Sequence, residues 1–115
     1  MSIDRDLLVL VTSPEWGDGP SDLGERLTGL GLKCLAAADT RPAKMIFLNS
    51  GIFLTTEGSS VVEYLRALED RGTEIVSCIT CLTYHDRMER IVVGGAGDMQ
   101  GAIKEITSFR KVVTL

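Results

Sequence analysis

Histidine, proline, aromatic side chains and clustered positive charge are all scarce in this chain of 115 residues. Sixteen acids outnumber twelve bases, giving a formal net charge of -4, and no run of Lys or Arg concentrates the positive charge. Aromatics make up 5% of the sequence and do not interleave with basic residues. Nothing here would neutralise a phosphate backbone or stack on bases, so nucleic acid is excluded as the expected ligand. Long apolar runs are also missing. The first, Leu7 to Val11, is too short for a membrane span or a signal-peptide core, and Asp4 and Asp6 stand where a basic leader segment would be. A cytoplasmic protein with no membrane partner is therefore expected. The single histidine, His85, leaves no Ser-His-Asp spacing for hydrolysis. Three cysteines are an odd number, which argues against a structural disulfide framework in a reducing compartment.

What remains is an ordinary globular composition, 44% hydrophobic and 24% charged, at a length suited to one hydrophobic core. No repeat, low-complexity stretch or linker divides residues 1–115, so one domain is expected. Short apolar runs alternate with helical periodicity. Leu7 to Val11 reads as a strand buried on both faces. A Pro/Gly loop from Pro14 to Pro20 follows, and Ser21 or Asp22 can cap a helix with Leu23, Leu27, Leu30 and Cys34 inward, although Gly24, Gly29 and Gly31 weaken it. Pro42 ends the connection to a second strand, Met45 to Leu48, closed by the turn Asn49-Ser50-Gly51. Residues 59–71 form the clearest helix, with Val61, Val62, Leu65 and Leu68 on one face and Gly72 just past its end. Glu74 to Ser77 is a third strand, Arg90 to Val93 a fourth, and Lys111 to Leu115 a fifth. Asp98 caps a helix running to about Ser108, with Met99, Ala102, Ile103 and Ile106 inward. This alternation predicts a three-layer α/β/α sandwich around a mainly parallel sheet, with its ligand crevice along the edge where the strands end.

The third strand runs straight into Cys78-Ile79-Thr80-Cys81. A C-x-x-C pair at a strand's C-terminal edge suits thiol chemistry, because a helix starting there would favour thiolate and two thiols three apart can resolve one another. The bland alternative is two small buried hydrophobes. Cys78, Cys81 and His85, with Asp86 close by, also suggest half a zinc site, but the second pair of ligands is missing, so no metal is expected. Cys34 falls on a face suited to core packing. Asn49, Ser50, Gly51, Thr80 and His85 are candidates to line the crevice; His85 reads equally as a partly exposed surface residue and Asn49-Ser50-Gly51 as a simple turn with Gly at positive φ. Gly17-Asp18-Gly19 lacks the third glycine or the Gly-Lys-Ser/Thr of a phosphate loop. Trp16 is either a lid over the crevice or an interface anchor.

Several segments together resemble the DsrE/DsrF-like family: Phe47-Leu48-Asn49-Ser50-Gly51, the helix start Glu57-Gly58-Ser59, and Leu68-Glu69-Asp70-Arg71-Gly72-Thr73-Glu74-Ile75. Ser77-Cys78-Ile79-Thr80-Cys81-Leu82-Thr83-Tyr84, Ile91-Val92-Val93-Gly94 and Lys111-Val112-Val113-Thr114-Leu115 continue the match. The resemblance covers nearly the whole chain and is strongest from Met45 to Leu115. Within the family it is nearest to the C-terminal domain of the sulfurtransferase-like selenium-metabolism proteins. It implies a five-stranded sheet, homo- or hetero-oligomers, and a sulfurtransferase-like relay of sulfur or selenium through cysteine persulfides without a cofactor. Cys78 and Cys81 match the family's cysteines and are the implied carriers. Two-domain relatives carry a TusA-like domain with a Cys-Pro-x-Pro motif; the prolines here, Pro14, Pro20 and Pro42, form none, which implies a separate TusA-like partner. Where relatives start the last helix with Asn-Met, this chain has Asp98-Met99. The alternatives are a non-catalytic oligomeric interaction subunit, or a small-ligand or metal-binding domain using the same crevice.

Overall fold

The computed structural model describes residues 2–115. Five strands, β1 (Ser2–Val11), β2 (Thr40–Phe47), β3 (Glu74–Cys78), β4 (Gly95–Gly97) and β5 (Lys111–Thr114), form one sheet in the order β4-β3-β2-β1-β5. Every pairing is parallel. The helices are α1 (Ser21–Ala37), α2 (Val62–Asp70), α3 (Ile79–Tyr84) and α4 (Met99–Ser108). Side chains alternate across a strand, so Val9, Val11, Met45, Phe47 and Ile75 share one face. That face packs against Leu32 and Ala36 of α1 and Leu65 and Leu68 of α2. On the opposite face Leu8 and Ile46 meet Ala102 of α4. The expected α/β architecture with a parallel five-stranded sheet is what the chain adopts.

Several boundaries and one helix face differ from the sequence expectation. Strand β1 begins five residues before Leu7, and its register with β2 shifts between Asp4 and Leu8. Pro42 does not end the connection. It lies inside β2 beside that irregularity, where a missing N–H interrupts no regular ladder, and its carbonyl accepts from Thr73 Oγ1 at 2.8 Å. Helix α1 starts after Pro20 with no side-chain cap. Its buried positions are Gly24, Thr28, Leu32 and Ala36, while Leu23, Leu27, Leu30 and Cys34 are exposed. The glycines explain the reversal. A Cβ on Gly31 would sit 2.1 Å from the Trp16 ring, and one on Gly24 would sit 2.8 Å from Glu15 Cβ. The loop after β1 therefore occupies the groove these glycines leave, and Thr28 Oγ1 donates to Pro14 O at 2.9 Å. Trp16 is not a lid over the thiol crevice; it is half-buried and packs on α1 beside the main core.

Helix α2 begins at Val62 and ends ahead of Gly72, whose φ of 105° provides the left-handed turn expected there. Ile91 to Val93 is not the fourth strand. Val93 fills the main core and Ile91 makes an isolated antiparallel bridge to Thr56. Gly94, with φ 74° and Ile75 O only 2.4 Å from where a Cβ would stand, then turns the chain into β4. Asp98 caps α4 as expected, accepting from the Gly101 amide at 2.8 Å. Of the four inward positions expected of α4, Ala102 is buried and Ile106 packs on the sheet, whereas Met99 and Ile103 are exposed.

Candidate functional site

Parallel strands bring their C-terminal ends to one edge, and there β2 and β3 set the thiol pair. Cys78 is the last residue of β3 and the N-cap position of α3; Cys81 lies in the first turn of that helix. They differ in access. Cys78 is 3% exposed, while Cys81 is half-buried. The chain leaves β2 through Leu48 into a 3₁₀ turn over Asn49–Leu54. Asn49 has a φ of 52°, a left-handed conformation that Asn tolerates better than most residues. In this conformation its backbone N–H donates to Cys81 Sγ at 3.0 Å. The positive φ therefore falls on Asn49 and not on Gly51. Gly51 is required for a different reason, since a Cβ there would stand 2.3 Å from Val11 O.

Burial pushes the Cys81 thiol above its ordinary pKa, and the neighbouring Cys78 thiol adds to that rise; the Asn49 amide works against both. The lowering expected from a helix start is not seen at Cys81. A six-residue helix has a small dipole, and the one amide that reaches Cys81 Sγ, from Asn49, is outweighed by burial.

Leu48, Asn49, Thr80, Cys81, Tyr84, His85 and Met99 line a cavity of about 430 Å³ over the exposed side of Cys81. Asn49, Thr80 and His85 thus meet around the thiol, but Ser50 and Gly51 do not line this space. His85 is half-buried, with its ring 4.8 Å from Phe53 and 4.9 Å from Tyr84. The Arg87 guanidinium lies 4.5 Å from the Phe53 centroid. Leu48, Tyr84 and Met99 were not among the expected crevice residues. The signal available for Tyr84 was its spacing, three residues after Cys81 and so on the same helix face, whereas nothing in the sequence brings Leu48 or Met99 to the thiol. Cys34 is exposed on α1, not packed in the core, and takes no part in the site. Among the described residues no group of three or more His, Cys, Asp or Glu side chains converges as a metal site; Cys78, Cys81, His85 and Asp86 do not do so.

No protein-family model matches the chain. No curated protein matches it by sequence either. Solved structures do. The chain is similar to YchN of E. coli with a TM-score of 0.66 at 13% identity, covering 96% of this chain and 99% of that one. It is similar to MTH1491 of Methanobacterium thermoautotrophicum, a protein of unknown function, with a TM-score of 0.66 at 11% identity, covering 97% and 100%. Both are DsrE/DsrF-like fold proteins, and at this identity the likeness establishes the fold. No helix among the described residues is long and apolar enough to cross a membrane.

Proposed function

We propose that this domain is a DsrE/DsrF-like, sulfurtransferase-like carrier, nearest the selenium-metabolism branch of that family, that relays sulfur or selenium between cytoplasmic proteins as a cysteine persulfide. Cys81 is the receiving thiol and Cys78 the buried partner behind it. The observation that carries this reading is the Asn49 N–H aimed at Cys81 Sγ at 3.0 Å, with the second thiol alongside. A backbone N–H steadies negative charge on sulfur whenever it forms, and the open apolar cavity leaves the thiol within reach of a partner. The Cys81 thiolate attacks the outer sulfur of a partner's cysteine persulfide. The new S–S bond forms as the old one breaks, the partner's thiolate leaves and takes up the proton that Cys81 released. No oxidant, reductant or cofactor enters the balance.

A TusA-like carrier protein fits as the donor, because the cavity walls of Leu48, Tyr84 and Met99 offer an apolar seat around the thiol. A second reading, a non-catalytic interaction subunit, is favoured by one feature. Leu23, Leu27 and Leu30 form an exposed stripe along α1. Antiparallel pairing with a second copy would cover the stripe on both. Intact mass of a Cys34→Ser chain after treatment with a small anionic persulfide donor separates the two readings. The carrier reading expects one added sulfur on that chain, retained when Cys78→Ser is added and lost when Cys81→Ser is added. No adduct on the Cys34→Ser chain, or one that survives Cys81→Ser, overturns it.

A further inference from the structure

Cys78 opens onto a different cavity from Cys81. It lies on the α4 side of the sheet, has a volume of about 200 Å³, and is lined by Ile46, Val76, Cys78 and Gly97 together with Lys44, Glu74, Asp98 and Glu105. Its origin is legible in the register. Cys78 and Val76 pair with Gly97 and Gly95 of β4, which have no side chains, so β4 leaves this part of the sheet uncovered. Helix α4 covers the neighbouring Leu8 and Ile46 with Ala102 and Ile106. Cys78 forms one end of the floor. The charged groups stand around it: Asp98 follows Gly97 directly, and Lys44 is held by Glu105 at 3.0 Å and Glu74 at 3.6 Å. Three carboxylates against one ammonium leave the lining negative. The lysine is only 13% exposed and shared between its two glutamates, and Asp98 accepts from the Gly101 amide, so the excess negative charge is carried where Glu74 and Glu105 reach solvent, 64% and 36% exposed.

We propose that this cavity is a second binding site, for a small thiol bearing an ammonium group, which exchanges sulfur with Cys78. A protein partner would meet Cys81 through the apolar cavity, and a small acceptor would meet Cys78 through the charged one. In the exchange, the Cys78 thiolate takes the outer sulfur of the Cys81 persulfide as the S–S bond to Cys81 breaks and Cys81 leaves as thiolate; the small thiolate then attacks that sulfur on Cys78, the S–S bond to Cys78 breaks, and Cys78 leaves as thiolate. Its proton comes from the small thiol. The exchange rests on the relay reading, but the binding site does not, and the test addresses the site directly.

In a Cys34→Ser/Cys81→Ser chain Cys78 is the sole thiol. Its modification rate is measured with aminoethyl methanethiosulfonate, a cation, and sulfonatoethyl methanethiosulfonate, an anion, each relative to a free small thiol. The expected result is a preference of about tenfold for the cation at low salt, shrinking as salt is added. Adding Asp98→Asn and Glu105→Gln brings the two rates toward parity; Asn remains a competent cap, so α4 stays in place. Cys81 in a Cys34→Ser/Cys78→Ser chain shows no such preference, since no carboxylate lines its cavity. Parity in the parent chain, a preference unmoved by the two neutralisations, or a Cys78 that reacts only in denaturant overturns the proposal. Charge selectivity without any sulfur adduct on Cys81 would leave the second site standing and remove the relay; an adduct without selectivity would do the reverse.

Discussion

Against α1 and α2 the sheet belongs to a continuous cluster of fourteen buried residues, from Val9 and Phe47 to Leu65, Leu68 and Val93. Against α4 the buried cluster is three residues, Leu8, Ile46 and Ala102, bordered by a cavity, a buried thiol and an ion-paired lysine. The two faces divide the work of the domain. Apolar area removed from water is the main favourable term in folding, so the first face carries stability. The second, thinly covered by one helix and a glycine strand, leaves room for a ligand. The thiols sit where the two meet, at the end of β3.

Truncating one side chain on each face is the largest test of this division. Leu65 is fully buried in the main cluster, and Leu65→Ala is expected to cost about 3–5 kcal/mol, enough to threaten folding. Ile106 is half-buried against the smaller cluster, and Ile106→Ala should cost only about 1 kcal/mol. Urea unfolding of both variants reads the difference. Equal losses would break the comparison, because the α4 face would then be as tightly built as the other.

The order of elements, the parallel sheet and the thiol pair were all readable in the sequence, since apolar runs, turn residues and a C-x-x-C signature act locally. The failures share one physical cause, which is that partners decide what periodicity only suggests. Leu23, Leu27 and Leu30 have the spacing of a core stripe, yet the packed side of α1 is the one whose glycines admit Trp16 and Glu15. Ile91-Val92-Val93 has strand propensity, yet Val93 is spent on the main core and the three-residue β4 consists of Gly95, Ala96 and Gly97. At the site the cysteines were evident but the Asn49 amide was not, because a backbone donor depends on a φ value rather than a side chain. The charged cavity needed register as well. Lys44 and Glu74 are cross-strand partners, and only the arrival of α4 brings Glu105 to the same lysine.

A smaller effect tests how the thiols are joined across the boundary between the faces. Thiolate is the reactive form, and burial followed by Cys78 pushes the Cys81 thiol up. Its alkylation rate should therefore climb about tenfold per pH unit through neutrality, with no plateau below the ordinary thiol range. Cys78→Ala removes the neighbour that opposes ionisation and leaves the Asn49 amide in place. At fixed mildly alkaline pH the Cys81 rate is expected to rise about two- to fivefold in a Cys34→Ser background. An unchanged or slower rate would mean that burial alone sets the thiol, and the two cavities would then be chemically uncoupled.

The smallest expected effect lies at the rim, where β1 and β5 bring Asp4 and Lys111 together in a hydrogen-bonded ion pair. The Lys111 ammonium, with help from the Asp6 amide, holds the Asp4 carboxyl below its ordinary value of 3.8. A carboxyl depressed in the folded state binds its proton less readily there than in the unfolded chain. Its contribution is thus complete above the ordinary value and disappears as the pH falls through the folded one. Both side chains reach solvent and are screened, so the contribution at neutral pH is slight compared with either core truncation. Lys111→Met should lower the melting temperature marginally at neutral pH, with the two melting curves converging once the medium is more acidic than about pH 3.8. A gap that persists in acid would assign the effect to packing of the Lys111 stem on the exposed β5 edge. The rim would then behave like the faces, stabilised by buried area and not by charge.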